Sequence, residues 1–294
     1  APKALQGLGA TPEDLAVVKQ MGLAGLRLDH GFSPAEIARF AQNKLGLRVV
    51  LNCSTIDPVF LRAIMAQGAD PELLEGCHNY YPRPETGLSM DFFERSSRLF
   101  KEFGMRVSAF VPGTGGRRGP LFEGLPTVES HRGMEAGRAA AELLATGLVD
   151  AVLFGDPWAT ATELTRVGDV AREEGVVLRV KLAESLSSFE RSIVVGPVQE
   201  NRPDMAEYVL RSTASRAYAA QGPAIAPFNT VQRPVGSVTI DNAGYLRYSG
   251  ELQVALRDLP AEERVNVVAH VIPEDLPLLR WVGPGRKFRL IPVQ

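Results

Sequence analysis

Short apolar runs recur between residues 11 and 174, each followed by a polar loop, a helix-like stretch and a glycine. The runs are Leu23-Ala24-Gly25-Leu26-Arg27-Leu28, residues 47–51, Leu73-Leu74, residues 107–111 and residues 151–154, with residues 176–182 as a sixth candidate. Runs this short, bounded by turn residues, read as strands of a buried sheet. Between them, Thr11-Pro12, Ser33-Pro34 and Asp57-Pro58 each set a capping side chain before a proline, as helix starts do. Ser89 caps a further helix. Gly22, Gly46, Gly68, Gly104, Gly147 and Gly175 stand where the helices end, a place that favours left-handed backbone.

Repeated strand-loop-helix units predict a parallel sheet with helical crossovers. Polar residues collect after the strands, which is the active-site face of a (β/α)8 barrel. Only six strands are countable, so residues 1–190 read as a TIM-type barrel lacking its first strand, first helix and second strand. An open doubly wound sheet is the structural alternative. Past residue 185 the rhythm changes. Asn201-Arg202-Pro203-Asp204 opens a predicted bridging helix near 203–216, and short strands follow at 236–240, 245–248, 251–256, 264–271 and 287–291. Residues 191–294 therefore read as a small β domain.

A net charge of -2 gives no electrostatic case for nucleic acid or an anionic membrane surface. No apolar run approaches the roughly 20 residues of a membrane span. Cys53 and Cys77 are the two cysteines and lack metal-ligand spacing, so a reducing cytoplasm is expected, with no metal and no cofactor.

Candidate chemistry concentrates in Cys77-His78-Asn79-Tyr80-Tyr81-Pro82-Arg83-Pro84-Glu85-Thr86-Gly87-Leu88-Ser89. Two prolines stiffen this loop and fix the presentation of Arg83 and Glu85. The structural alternative is a rigid turn in which the two only pair with each other. Asp156, in Phe154-Gly155-Asp156-Pro157, stands at a strand end where Gly155 permits a ligand's close approach; a helix cap is the competing reading. The stretch 123–132 holds Glu123, Glu129, His131 and Arg132 after a glycine-rich loop, 112–120, long enough to cover a substrate. As plain structure, Glu129 and Arg132 would be first-turn helix charges. Asp29, Asn52, His78 and Asn79 add strand-end polar groups. Gly113-Thr114-Gly115-Gly116 matches no nucleotide-binding pattern. Lys181 leaves a Schiff-base aldolase or phosphosugar isomerase open, and a non-catalytic carbohydrate-binding surface protein is a further alternative. Carboxylates, amides, aromatics and arginines together suit a charged sugar, and glycoside cleavage needs two carboxyl groups.

The run His78 to Gly87 resembles the bacterial 6-phospho-N-acetylmuramidases, formerly an "outer surface protein" family of unknown function. Gly25 to Asp29, Arg118-Gly119-Pro120-Leu121, the stretch 123–132, Gly155-Asp156, Asn201-Arg202-Pro203-Asp204, the stretch 233–242 and the stretch 245–253 extend the resemblance essentially end to end. It implies a (β/α)8 barrel followed by a cyclophilin-like β domain. It also implies hydrolysis of 6-phospho-N-acetylmuramyl-β-1,4-N-acetylglucosamine in cytoplasmic peptidoglycan recycling, on a small phosphorylated amino-sugar, with a homo-oligomer left open. The family pattern has about one strand, helix and second strand before the point matching Pro2, in line with the strand count. On this expectation Asp156 and Glu129 form the carboxyl pair, with Glu85 the substitute if either is structural. His78, Asn79, Asn52 and Asp29 would meet sugar hydroxyl or acetamido groups. Arg83, Arg118, Arg202 and Arg233 would take phosphate or lactyl carboxylate through forked hydrogen bonds.

Overall fold

The computed structural model describes Leu5 and residues 7–293 and divides the chain into two compact units, Ala1–Gly168 and Asp169–Gln294. In the first unit, five strands pair in parallel and in chain order: β1 (Gly25–Leu28), β2 (Arg48–Asn52), β3 (Leu74–Cys77), β4 (Arg106–Val111) and β5 (Ala151–Phe154). Nothing in that order reverses, so the sheet has no switch point of the kind around which a doubly wound sheet is built.

Helices α1 (Ala16–Gln20), α2 (Pro34–Phe40), α3 (Pro58–Ala66), α4 (Met90–Glu102), α5 (Ala136–Ala145) and α6 (Ala161–Arg172) alternate with these strands. The local signals explain their starts. Ser33 and Glu36 form a reciprocal capping box on α2, while Asp57 caps α3 and Ser89 caps α4. Thr11 departs from expectation. It accepts the Asp14 amide in a turn, and α1 begins only at Ala16, because Pro12 and the acids after it close that turn first. All six expected helix-ending glycines carry positive φ, from +66° to +99°. Burial on the sheet alternates as a half-covered strand requires: Val107, Ala109 and Val111 of β4 point inward, and Phe93 and Phe100 of α4 are fully buried.

The second unit holds seven strands in the order β7-β12-β6-β11-β9-β10-β8. They are β6 (Val176–Leu182), β7 (Gln199–Glu200), β8 (Val209–Arg211), β9 (Ser237–Asp241), β10 (Leu252–Ala255), β11 (Val265–Val271) and β12 (Lys287–Pro292). The edge strands meet. Asn201 bridges Ser212, the Arg202 amide donates to the Arg211 carbonyl, and the Ser212 hydroxyl donates to Gln199 Oε1 at 2.6 Å. The sheet thus nearly closes into a barrel and hides its edges.

Three expectations are corrected here. Residues 176–182 are not a sixth strand of the parallel sheet. They pair in parallel with β12 and antiparallel with β11, so the units divide between Gly168 and Asp169 rather than near 190. An apolar strand does not disclose which neighbours will flank it, and β12 lies more than a hundred residues downstream. The expected helix at 203–216 is strand β8 with the short helices α7 (Ser188–Val194) and α8 (Ser215–Ala219) before and after it, because residues 209–211 are claimed by β10. Residues 245–248 lie in a 3-10 segment, Ala243–Tyr248, started by the Asn242 side chain accepting the Gly244 amide at 3.0 Å. Among the described residues no helix is long and apolar enough to cross a membrane.

Candidate active site

The loop after β3 is clamped from the far end of the β4 loop. Glu129 Oε1 accepts the Glu85 amide at 2.8 Å, and Oε2 accepts the Gly87 amide at 2.6 Å. Arg132 grips the same carboxylate with a two-pronged contact, Nε to Oε1 at 2.6 Å and Nη2 to Oε2 at 2.9 Å. Its remaining donors reach the carbonyls of Gly124, Tyr81 and Arg83. A Cβ on Gly87 would stand 2.5 Å from Glu129 Oε2, so the clamp closes only on glycine. The Arg132 guanidinium, followed by the two amides, pulls the Glu129 carboxyl down to about 2. It is an ionised carboxylate with both oxygens committed. Glu85 is different. Its backbone sits at φ +70°, a strained conformation for a residue with a side chain, and among the described residues its exposed carboxylate accepts no hydrogen bond.

Asp156 is buried at the end of β5. Its Oδ2 accepts the amides of Gly113 (2.9 Å) and Leu125 (3.1 Å), and Oδ1 accepts the Arg118 amide at 3.2 Å. It caps no helix: α6 starts after Thr160, whose hydroxyl accepts the Glu163 amide. Gly155 serves the protein rather than a ligand, since a Cβ there would lie 2.2 Å from the Leu125 carbonyl oxygen. The glycine-rich segment is pinned at its start as well, with Thr114 donating its amide and hydroxyl to Glu163 Oε1 at 2.9 and 2.8 Å.

A second cluster lies on the ends of β1 to β3. Arg27 donates to Asp29 Oδ1 (2.9 Å), to Asn79 Oδ1 (2.8 Å) and to the His78 carbonyl (3.2 Å). Asn52 Nδ2 donates to Asn79 Oδ1 at 3.1 Å and to Asp29 Oδ1 at 3.3 Å. Asp29 also lines a cleft of about 240 Å³ with His30, Thr55 and Asp57. The clusters join at Asn79, whose carbonyl accepts the Thr127 hydroxyl at 2.8 Å. Arg118 donates to the Tyr80 hydroxyl and lies over its ring.

His78 departs from the expectation of a sugar-binding imidazole. It is fully buried, with Ser54 Oγ at 3.2 Å from Nδ1 and Ser97 Oγ at 2.9 Å from Nε2. Burial, then the nearby Arg27 charge, pushes it down to about 3, so it is a neutral, fully bonded ring that sets the loop's course. His131 is likewise buried, against Glu142 at 3.0 Å. Arg83 is exposed and does not pair with Glu85. Arg202 and Arg233 belong to the second unit, where Arg202 grips Asp204 and Arg233 Nε donates to the Pro260 carbonyl. Lys181 sits on β6, outside the parallel sheet. Sequence reading missed Arg27, which pointed nowhere as one polar residue in an apolar strand, and missed Ser54 and Thr127, whose hydroxyls hold Asn79.

Two family models match in succession: 6-phospho-N-acetylmuramidase, N-terminal, over residues 1–169, and 6-phospho-N-acetylmuramidase, C-terminal, over residues 176–291. The chain belongs to the 6-phospho-N-acetylmuramidase family. Their boundary falls where the two compact units part. Two solved structures are similar. An uncharacterized B. cereus protein is 34% identical with a TM-score of 0.85, covering 95% of this chain and 80% of its own. A conserved Enterococcus faecalis protein of unknown function is 38% identical with a TM-score of 0.66, covering 99% of this chain and 78% of its own. No curated protein matches. The 6-phospho-N-acetylmuramidase family name implies glycoside hydrolase activity.

Proposed function

We propose that the chain hydrolyses 6-phospho-N-acetylmuramyl-β-1,4-N-acetylglucosamine in the cytoplasm, with the first unit as part of a (β/α)8 barrel and the second as a cyclophilin-like domain. The sequential, all-parallel order of β1 to β5 and the collection of polar groups beyond their carboxyl ends support the barrel reading. The observation that carries the site is the clamped loop. Glu129 and Arg132 hold a strained Glu85 whose carboxylate is left open, while Asp156 is fixed by three amides.

A glycosidase needs one carboxyl that can keep its proton and one that stays ionised. Glu129, expected in the pair, is held too acidic to donate a proton and has no free oxygen, so its role is to hold the loop. The carboxyl pair then falls to Glu85 and Asp156. Asp29, Asn52 and Asn79 would meet sugar hydroxyl or acetamido groups, and Arg118 and Arg83 the phosphate. Release of N-acetylglucosamine from the 6-phosphorylated disaccharide and from its unphosphorylated twin tests the reading. Turnover confined to the phosphorylated sugar is expected; Glu85→Gln should abolish it with little change in melting, and Asp156→Asn should abolish it while also lowering the melting temperature, because the new amide nitrogen would face a backbone N–H. Full turnover by Glu85→Gln would remove it from the pair.

A further inference from the structure

The second unit contains a pocket of its own, about 270 Å³, that the glycosidase reading does not use. Strand pairing builds it. Arg211 on β8 lies opposite Gln253 on β10, and Gln253 lies opposite Thr239 on β9, two residues before Asp241. Side chains alternate along a strand, so Arg211, Gln253 and Asp241 share one face. The apolar set of Leu210, Val238, Ile240, Leu252 and Val254 takes the other and is fully buried.

The polar face is unevenly satisfied. Glu251 accepts Arg211 Nε at 2.7 Å, Arg216 Nε at 3.4 Å and Gln253 Nε2 at 3.1 Å. Asp241 lines the same pocket, is only 5% exposed, and among the described residues its carboxylate accepts no hydrogen bond and makes no ion pair. Burying a carboxyl without a partner costs several kcal/mol on the order-of-magnitude scale for such groups, so a protein does not place one idly. Arg233 also faces the pocket. Its Nε is taken by the Pro260 carbonyl at 2.9 Å, and among the described residues the guanidinium makes no close ion pair, its charge acting on Asp241 and Glu262 from a distance. Tyr245 and Tyr248 add phenols, and Val209 and Val265 an apolar floor.

We propose that this pocket is a second ligand site, taking one sugar ring that carries a single anionic group, with Arg233 on the anion and Asp241 on a neighbouring hydroxyl. The volume falls below the roughly 300–1,000 Å³ of clefts that hold drug-sized ligands, which suits a monosaccharide. The charges favour an anion. Arg211 and Arg216 share the single carboxylate of Glu251, Arg247 stands over Tyr248, and Arg264 with Glu262, and Arg202 with Asp204, are self-paired. Burial, then the Glu251 charge, raises Asp241 to about 7, against the opposing pull of Arg233 and Arg211. An anion bound beside it favours the protonated carboxyl, so binding weakens as pH rises through that range. Every residue of the site lies in the second unit, and none of them carries a role in the proposed glycosidase reaction.

The test is calorimetric titration of the full chain with glucose 6-phosphate, glucuronate and, as neutral control, glucose. Expected is binding of one or both anionic sugars, the stronger identifying phosphate or carboxylate, with glucose at least about tenfold weaker. With glucuronate, whose charge is fixed across the range, the affinity should fall about tenfold between about pH 6 and about pH 8, as one proton linked near neutrality requires; glucose 6-phosphate, which gains charge itself at about pH 6, is compared at one pH. Arg233→Ala should lose at least about tenfold, a charge-assisted contact's share. Asp241→Asn should bind at both pH values without the slope, and its melting curve shows whether it is folded. Should it fail to fold, an upward shift of the wild-type Asp241 carboxyl titration on adding the bound sugar, read by carbon NMR, replaces it. No binding, equal binding of glucose, an unaffected Arg233→Ala or a missing pH slope in the wild type would overturn the proposal.

Discussion

Glu129 shows how a single side chain can look catalytic in sequence and be architectural in space. Its carboxyl lies far below the ordinary glutamate value of 4.5, so the stabilisation it gives is present above about pH 4.5 and is lost as pH falls toward about 2. Acid melts should therefore show a loss in that window that Glu129→Gln lacks, the variant being less stable at neutral pH by on the order of 1–2 kcal/mol after solvent screening. A window unchanged in the variant would mean that other carboxylates carry it. The same substitution should depress turnover further than it depresses melting, because Glu85 loses its amide partner. Arg118 is testable on its own. Arg118→Ala should raise KM for the phosphorylated disaccharide several-fold or more, as loss of a charge-assisted contact does. An equal loss on the unphosphorylated analogue would deny Arg118 a phosphate role.

At the scale of elements, the strand ends matter because the helices behind them are firmly seated. Phe100 of α4 is fully buried in the core that includes Leu51, Leu74 and Val107. Phe100→Ala should cost about 3–5 kcal/mol, measured by denaturant unfolding, since the cavity it leaves cannot collapse between packed strands. A cost below about 1 kcal/mol would mean that the helix docks more loosely than this. The starts of α2, α3 and α4 were legible because a cap acts within four residues. The start of α1 was not, because the Thr11 turn satisfies the same donors without continuing into a helix. Residues 209–211 were misread as helix for a related reason: their pairing with β10 is decided some forty residues away.

For the molecule as a whole, β12 is the strand on which the second unit turns. It lies between β7 and β6, joined to one antiparallel and to the other in parallel. Deleting residues 287–294 should unfold the second unit while leaving the first unit's NMR signals in place. Retention of the second unit's dispersed signals would show that the sheet tolerates opening there.

The rhythm of strands, caps and glycines, the parallel sheet it implies and the family were all determined by the sequence, because each rests on contacts within a few residues or on motifs carried whole. Tertiary structure alone decided that residues 176–182 leave the parallel sheet for a partner at 287–292, and that Glu129 reaches back to residues 85 and 87. It alone brought Asp156 to the amides of Gly113, Arg118 and Leu125, and left the Asp241 carboxylate without a hydrogen bond near Arg233. These are pairings across forty or more residues in most cases, and a chain's local preferences carry no information about which distant group will arrive to satisfy a buried charge.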